Sequence, residues 1–209
     1  MTSAGKKTFL LVLVGVVAWL TSCSLLPETE MLRLFALPTL SNPSPGQGEV
    51  LPVQLRIRSF QSNRMLASSR IVVVPQENEL TVYRGARWSD PAPVLLRNRL
   101  LEAFKSNGRV QAVYSEENRL QADMELSGVL TAFQSEYSDG EVQVRIQVDL
   151  HLTDAGGRRL IAHRRFDVRE PSRNQDIEEV VVSFGRAGDV LSQQVLDWAL
   201  VEIAESVNR

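Results

Sequence analysis

Few residues in this chain could do covalent or acid-base chemistry. Among its 209 residues there is one cysteine, Cys23, and two histidines, His151 and His163. A cysteine can serve as nucleophile, metal ligand or half of a disulfide, and each role needs a partner group. His151 lies on the polar phase of one alternating segment and His163 on the off-phase of the next, so a hairpin would set them side by side. Two such histidines without a thiolate or carboxylate at ligand spacing make a poor metal site. No serine sits in a nucleophile elbow. The stretch "DAGG", Asp154 to Gly157, lacks the G-x-x-x-x-G-K pattern of a phosphate loop and separates two strands, so it reads as a hairpin turn. Glu116-Glu117 and Glu178-Glu179 are adjacent in sequence within polar surroundings and read as solvated charges. These residues do not assemble into a catalytic constellation; the expectation is no enzyme, no metal and no bound cofactor.

The surroundings of Cys23 suggest a different use. Lys6 and Lys7 precede an apolar run of thirteen residues, Thr8 to Leu20, followed by the small residues Thr21 and Ser22. As a helix that run reaches ~20 Å, short of the ~30 Å hydrocarbon core of a bilayer, so residues 1–22 read as a signal peptide rather than a permanent span. Leu20-Thr21-Ser22-Cys23 resembles a bacterial lipobox. That resemblance implies cleavage before Cys23, S-diacylglycerol on its sulfur and N-acylation of the new amino terminus. Two or three acyl chains anchor a protein durably where one does not. Ser24 rather than Asp after the cysteine implies the periplasmic face of the outer membrane. The alternatives are an ordinary secretory signal or a buried structural cysteine.

Composition agrees with one exported, folded domain. Residues 23–30 read as a lipidated tether and residues 31–209 as a single domain long enough to bury a core. The whole chain carries a formal net charge of −2, and removal of the leader takes away two lysines and no acid, which argues against nucleic acid as a partner. With no cysteine pair there is no disulfide, so packing must stabilise the fold.

The elements that would carry these residues can be read from periodicity. Met31 to Leu37 reads as a first strand, and Pro38 to Glu49, rich in Pro, Gly, Ser and Asn, as a surface loop. Pro52 to Phe60 alternates with one wet face, Arg70 to Pro75 is β-branched like a central strand, and Glu79 to Arg84 returns as its hairpin partner. Ser89 or Asp90 can cap a helix beginning at Pro91 and ending at Asn107-Gly108. Val110 to Tyr114 is a strand. Gln121 to Phe133, Val142 to Leu152 and Leu160 to Val168 then form an antiparallel meander, with Ala122, Met124, Leu126, Leu130 and Ala132 in one phase of the first. A helix from about Asp176 to Val207 closes the chain, its main stripe being Ile177, Val180, Phe184, Ala187, Leu191, Val195 and Trp198. Val190, Leu196, Leu200 and Val201 broaden that stripe, through either a thick core contact or a partner surface. The fold expected is α+β: a mostly antiparallel sheet with two main helices packed on one face, preceded by the lipoprotein signal peptide.

Several stretches together carry a resemblance. The lipobox, the segment Tyr83-Arg84 through Arg87-Trp88-Ser89-Asp90-Pro91 into a helix, "LSGVLTAF" at Leu126 to Phe133, and the ending around Phe184, Ala187 and Trp198 resemble the ABC-type transport auxiliary lipoprotein family. The resemblance implies a non-enzymatic lipoprotein, anchored through Cys23, that docks the mammalian-cell-entry (MCE) domain protein of an ABC-type lipid transporter at the outer membrane. MCE proteins form rings, so symmetry matching and the broad closing helix point to a homo-oligomer. Trp88, before a helix start in an Arg/Asp-rich loop, is the first candidate for partner binding, with Arg87 and Trp198 beside it; the alternative is that Trp88 plugs the core. Competing functions are a periplasmic lipid carrier, which requires a large apolar cavity, and a structural lipoprotein of another envelope assembly machine.

Overall fold

The computed structural model describes residues 31–208, apart from 42–44, 119, 139 and 155–158. Nine strands and two helices are formed among them. They are β1 (Arg33–Phe35), β2 (Leu51–Ile57), β3 (Gln61–Ser62), β4 (Arg70–Val74), β5 (Thr81–Trp88), α1 (Ala92–Asn107), β6 (Val110–Ser115), β7 (Met124–Ser138), β8 (Glu141–Asp154), β9 (Leu160–Pro171) and α2 (Ile177–Val207).

The sheet is built on the strictest alternation in the sequence. Val144, Ile146, Val148, Leu150 and Leu152 of β8 are all 0 % exposed, while Gln143, Arg145, Gln147, Asp149 and His151 between them look outward. Antiparallel ladders join β8 to β7 along nearly its whole length on one side and to β9 on the other, which is the expected meander. Asp154 and Arg159 close the β8–β9 turn through paired hydrogen bonds of 3.0 and 2.9 Å; the rest of the "DAGG" stretch lies outside the described residues.

The other edge of β7 departs from the expected pattern. Three short segments share it end to end, all parallel to it: β2 against Met124, Glu125 and Leu126, β3 against Val129 and Leu130, and β4 against Gln134 to Glu136. Beyond β2 lies β6, parallel to it, and beyond β4 lie β5, antiparallel, and then β1, parallel to β5. The sheet is therefore mixed: its longest ladders are antiparallel, and its parallel pairings with β7 join segments far apart in sequence.

Two irregularities shift residues from their expected phase. Between Leu130 and Ala132 the β7–β8 register slips, so that Phe133 stands opposite Ile146 on the inner face and Ala132 opposite Gln147 on the outer one. In β5, Gly85 at φ +64° lies where the β4–β5 register shifts, and the strand runs on to Trp88 instead of stopping at Arg84. The expected side-chain cap of α1 is also absent. Pro91 takes the cap position without a side-chain hydrogen bond, and the Ser89 N–H donates to the Phe35 carbonyl at 2.8 Å, tying β1 to the helix start.

Helix α2 lies over β8 and β9, and α1 packs against α2, β6 and β2. Val180, Phe184, Ala187, Leu191 and Val195 are fully buried, and Leu196 joins them at 5 %, whereas Val190 and Val201 remain exposed. Glu116 and Glu117, expected as solvated charges, both accept hydrogen bonds from the buried Arg97 of α1, at 3.0 and 2.9 Å. Glu178, in the first turn of α2, pairs with Arg33 of β1.

Candidate functional site

Trp88 closes β5 with its side chain on the inner face, 1 % exposed. Its ring meets Phe133 edge-on at 5.8 Å and Phe184 at 5.1 Å, and those two phenyl rings stack at 4.7 Å. Three elements, β5, β7 and α2, thus meet in one aromatic cluster, and Trp88 presents no surface to a partner in this fold. It plugs the core between the end of β5 and the start of α1. Trp198 sits almost four turns beyond Phe184 on α2, ~20 Å along the axis, and packs edge-on against Phe166 at 5.6 Å. It is 6 % exposed and borders a shallow depression with Arg164, Asp197 and Val201. Arg87 is exposed on the opposite face of the sheet from Trp88. The three candidate partner-binding residues are therefore not one site.

The outer face of the meander is a lattice of ion pairs. Arg145 donates to both oxygens of Asp167 at 2.9 and 2.8 Å, Arg165 to both oxygens of Asp149 at 2.6 and 2.9 Å, and Glu125 pairs with Arg56 and Arg58. His151 and His163 do stand directly opposite one another on β8 and β9. Among the described residues no group of three metal-ligating side chains forms around them or elsewhere. Hydrogen bonds from Arg145 hold the Asp167 carboxyl below the usual carboxylate range, and those from Arg165 do the same for Asp149. A carboxylate whose pKa is depressed by folding stabilises the fold fully above its unfolded value of ~3.9 and loses that contribution as pH falls through its folded value. Stability is expected to fall with acidification below about pH 4, and Asp167→Asn to flatten that decline while costing about 1 kcal/mol at pH 7. Urea unfolding across this pH range measures both.

Two polar arrangements, one buried and one half-buried, gave no signal in the sequence. Arg99 of α1 is 3 % exposed and reaches across to α2, donating to the Gly185 carbonyl at 3.0 Å and lying 3.3 Å from Asp189 Oδ1. Burial lowers its pKa and the Asp189 charge opposes that shift. A Cβ at position 188 would stand 3.1 Å from Arg99 Nε, so Gly188 makes room for the guanidinium. Tyr83 of β5 shares hydrogen bonds with Ser135 at 3.1 Å and Tyr137 at 2.8 Å, and burial pushes its hydroxyl well above the usual tyrosine value, so it stays neutral. Both arrangements join elements inside the fold. Neither sets a nucleophile beside a base.

Cys23 and residues 1–22, expected as a signal peptide, lie outside the described residues. No helix among the described residues is long and apolar enough to cross a membrane.

Known proteins share this architecture. A crystal structure of a Xanthomonas campestris protein of the DUF330 family superposes with a TM-score of 0.76 at 25 % identity, covering 84 % of this chain and 99 % of that one. A second crystal structure, of an uncharacterised protein, superposes with a TM-score of 0.62 at 19 % identity over 79 % of this chain and 97 % of that one. An uncharacterised protein of Bradyrhizobium diazoefficiens is 22 % identical over 169 residues, 81 % of this chain; the chain spans 45 % of the length of that relative. The sequence profile of ABC-type transport auxiliary lipoprotein components matches residues 35–196, from the end of β1 well into α2. The chain belongs to the family of ABC-type transport auxiliary lipoprotein components.

Proposed function

We propose that this protein is a non-enzymatic docking component of an ABC-type lipid transport system, held at the periplasmic face of the outer membrane by acyl groups on Cys23 and contacting an MCE-domain protein. Membership of the transport auxiliary family is the observation that carries this reading. The chemistry available agrees with it: the charged side chains of the meander's outer face are spent on one another, and the buried Arg99 and half-buried Tyr83 are held in internal contacts. A carrier that encloses an acyl chain is less well supported. Side chains lining such a cavity would keep accessible surface, yet those on the inner face of β8 from Val144 to Leu152 have 0 % exposure.

Detergent extracts of the envelope, with the protein as bait, test the docking role. An MCE-domain protein should copurify with the wild type. Its consistent absence would sink the proposal. The homo-oligomer belongs to the same proposal, and the mass of the purified complex reports it.

A further inference from the structure

The arginines of this sheet fall into two populations. On the outer face of the meander Arg145, Arg165 and Arg169 are each paired with an acid, while Arg164, in the opposite phase across from Leu150, lies over the Phe166 ring. Across β4, β5 and the turn before them the pattern stops: among the described residues Arg64, Arg70, Arg84 and Arg87 are exposed and form no ion pair. Arg70 and Arg87 stand directly opposite one another in the β4–β5 ladder, and Leu34 stands opposite Arg87 from β1. Like charges in directly opposed positions cost stability, so this fold keeps an unfavourable arrangement where an acid would relieve it. Asp90, the acid closest along the chain after Arg87, is exposed and makes no ion pair with these arginines. Beside them Leu34 is 68 % exposed and Leu32 53 %.

We propose that this outer face of β4, β5 and β1 is a docking surface for an anionic phospholipid bilayer. Two observations favour a bilayer over an acidic protein. Cationic side chains interleaved with exposed aliphatic ones match an interface of charged headgroups over hydrocarbon, each arginine near such a surface adding attraction that decays within a Debye length. The patch also includes the first strand of the domain, and the chain from Cys23 to Arg33 spans at most ~35 Å when extended, so an anchor at Cys23 keeps this edge near the membrane. The inference rests on the anchoring proposed above, and the experiment separates the two.

The full lipidated chain is mixed with vesicles of phosphatidylcholine alone, or with phosphatidylglycerol added, floated, and treated with phenylglyoxal, and arginine modification is read by mass spectrometry. Arg164, exposed on β9 at the far edge of the sheet, is the internal reference. Modification of Arg70 and Arg87 should slow by about tenfold relative to Arg164 on the anionic vesicles, and recover in about 0.5 M salt. Flotation on the neutral vesicles reports the anchor by itself. Flotation with equal modification under both lipids overturns the patch and leaves the anchor standing. Salt-sensitive flotation on anionic vesicles only, with Arg70 and Arg87 protected, supports the patch and sinks the anchor. Failure to float on either overturns both.

Discussion

Trp88→Ala is expected to lower the free energy of unfolding by about 4 kcal/mol, the cost of emptying a well-packed aromatic site. The site cannot easily collapse, because Phe133 and Phe184 are held on a strand and a helix that both run on past it. Trp88→Phe should cost far less, since a ring remains and the indole N–H, which is buried without a hydrogen-bond partner, is removed. Urea unfolding of the two variants measures the difference. A Trp88→Ala protein as stable as wild type, but unable to capture its partner, would return this residue to the binding surface.

Gly128→Ala is expected to cost at least about 3 kcal/mol, and Gly128→Val to prevent stable folding. A Cβ here would stand 3.0 Å from the carbonyl carbon of Asp149 and 3.1 Å from Leu150 Cα, and closer still to the Asp149 oxygen. Backbone is what it meets, in a strand paired on both edges, so no side-chain rotation relieves the overlap. Ser127→Ala, one residue away, should change stability by less than about 0.5 kcal/mol. A Gly128→Ala midpoint matching that of Ser127→Ala would show that β7 and β8 can separate at this point without cost.

The legibility of the fold depends on the distance over which each feature is decided. The alternation of β8, the β8–β9 pairing and the apolar stripe of α2 are local patterns, and they stand close to where the sequence puts them. Gly108, at φ +70°, ends α1 as the Asn-Gly signal requires. The parallel pairings of β2, β3 and β4 with β7 join segments more than about sixty residues apart, and nothing in either partner names the other. The slip at Thr131 puts Ala132 out of phase because a bulge reverses the faces of everything beyond it, while the residues on either side keep ordinary strand character. The partner-binding candidates show the same limit. In the sequence the strand is read as stopping at Arg84, which leaves Trp88 in a loop as either a partner residue or a plug of the core, whereas the irregularity at Gly85 carries β5 on and turns the indole inward. Arg70 beside Arg87 depends wholly on register, which becomes visible only once β4 and β5 are paired.

The use of one edge of β7 by β2, β3 and β4 has a kinetic consequence. A chain that emerges from its amino terminus, from a ribosome or through a translocation pore, produces these three segments before the strand they need. Until Met124 to Ser138 is out, β2 can turn only to β6, and β4 only to its hairpin partner β5. Closing such long loops is slow. The first half of the domain therefore remains uncommitted while the second half is delivered, and the sheet forms late, around a strand that lies past the midpoint of the sequence.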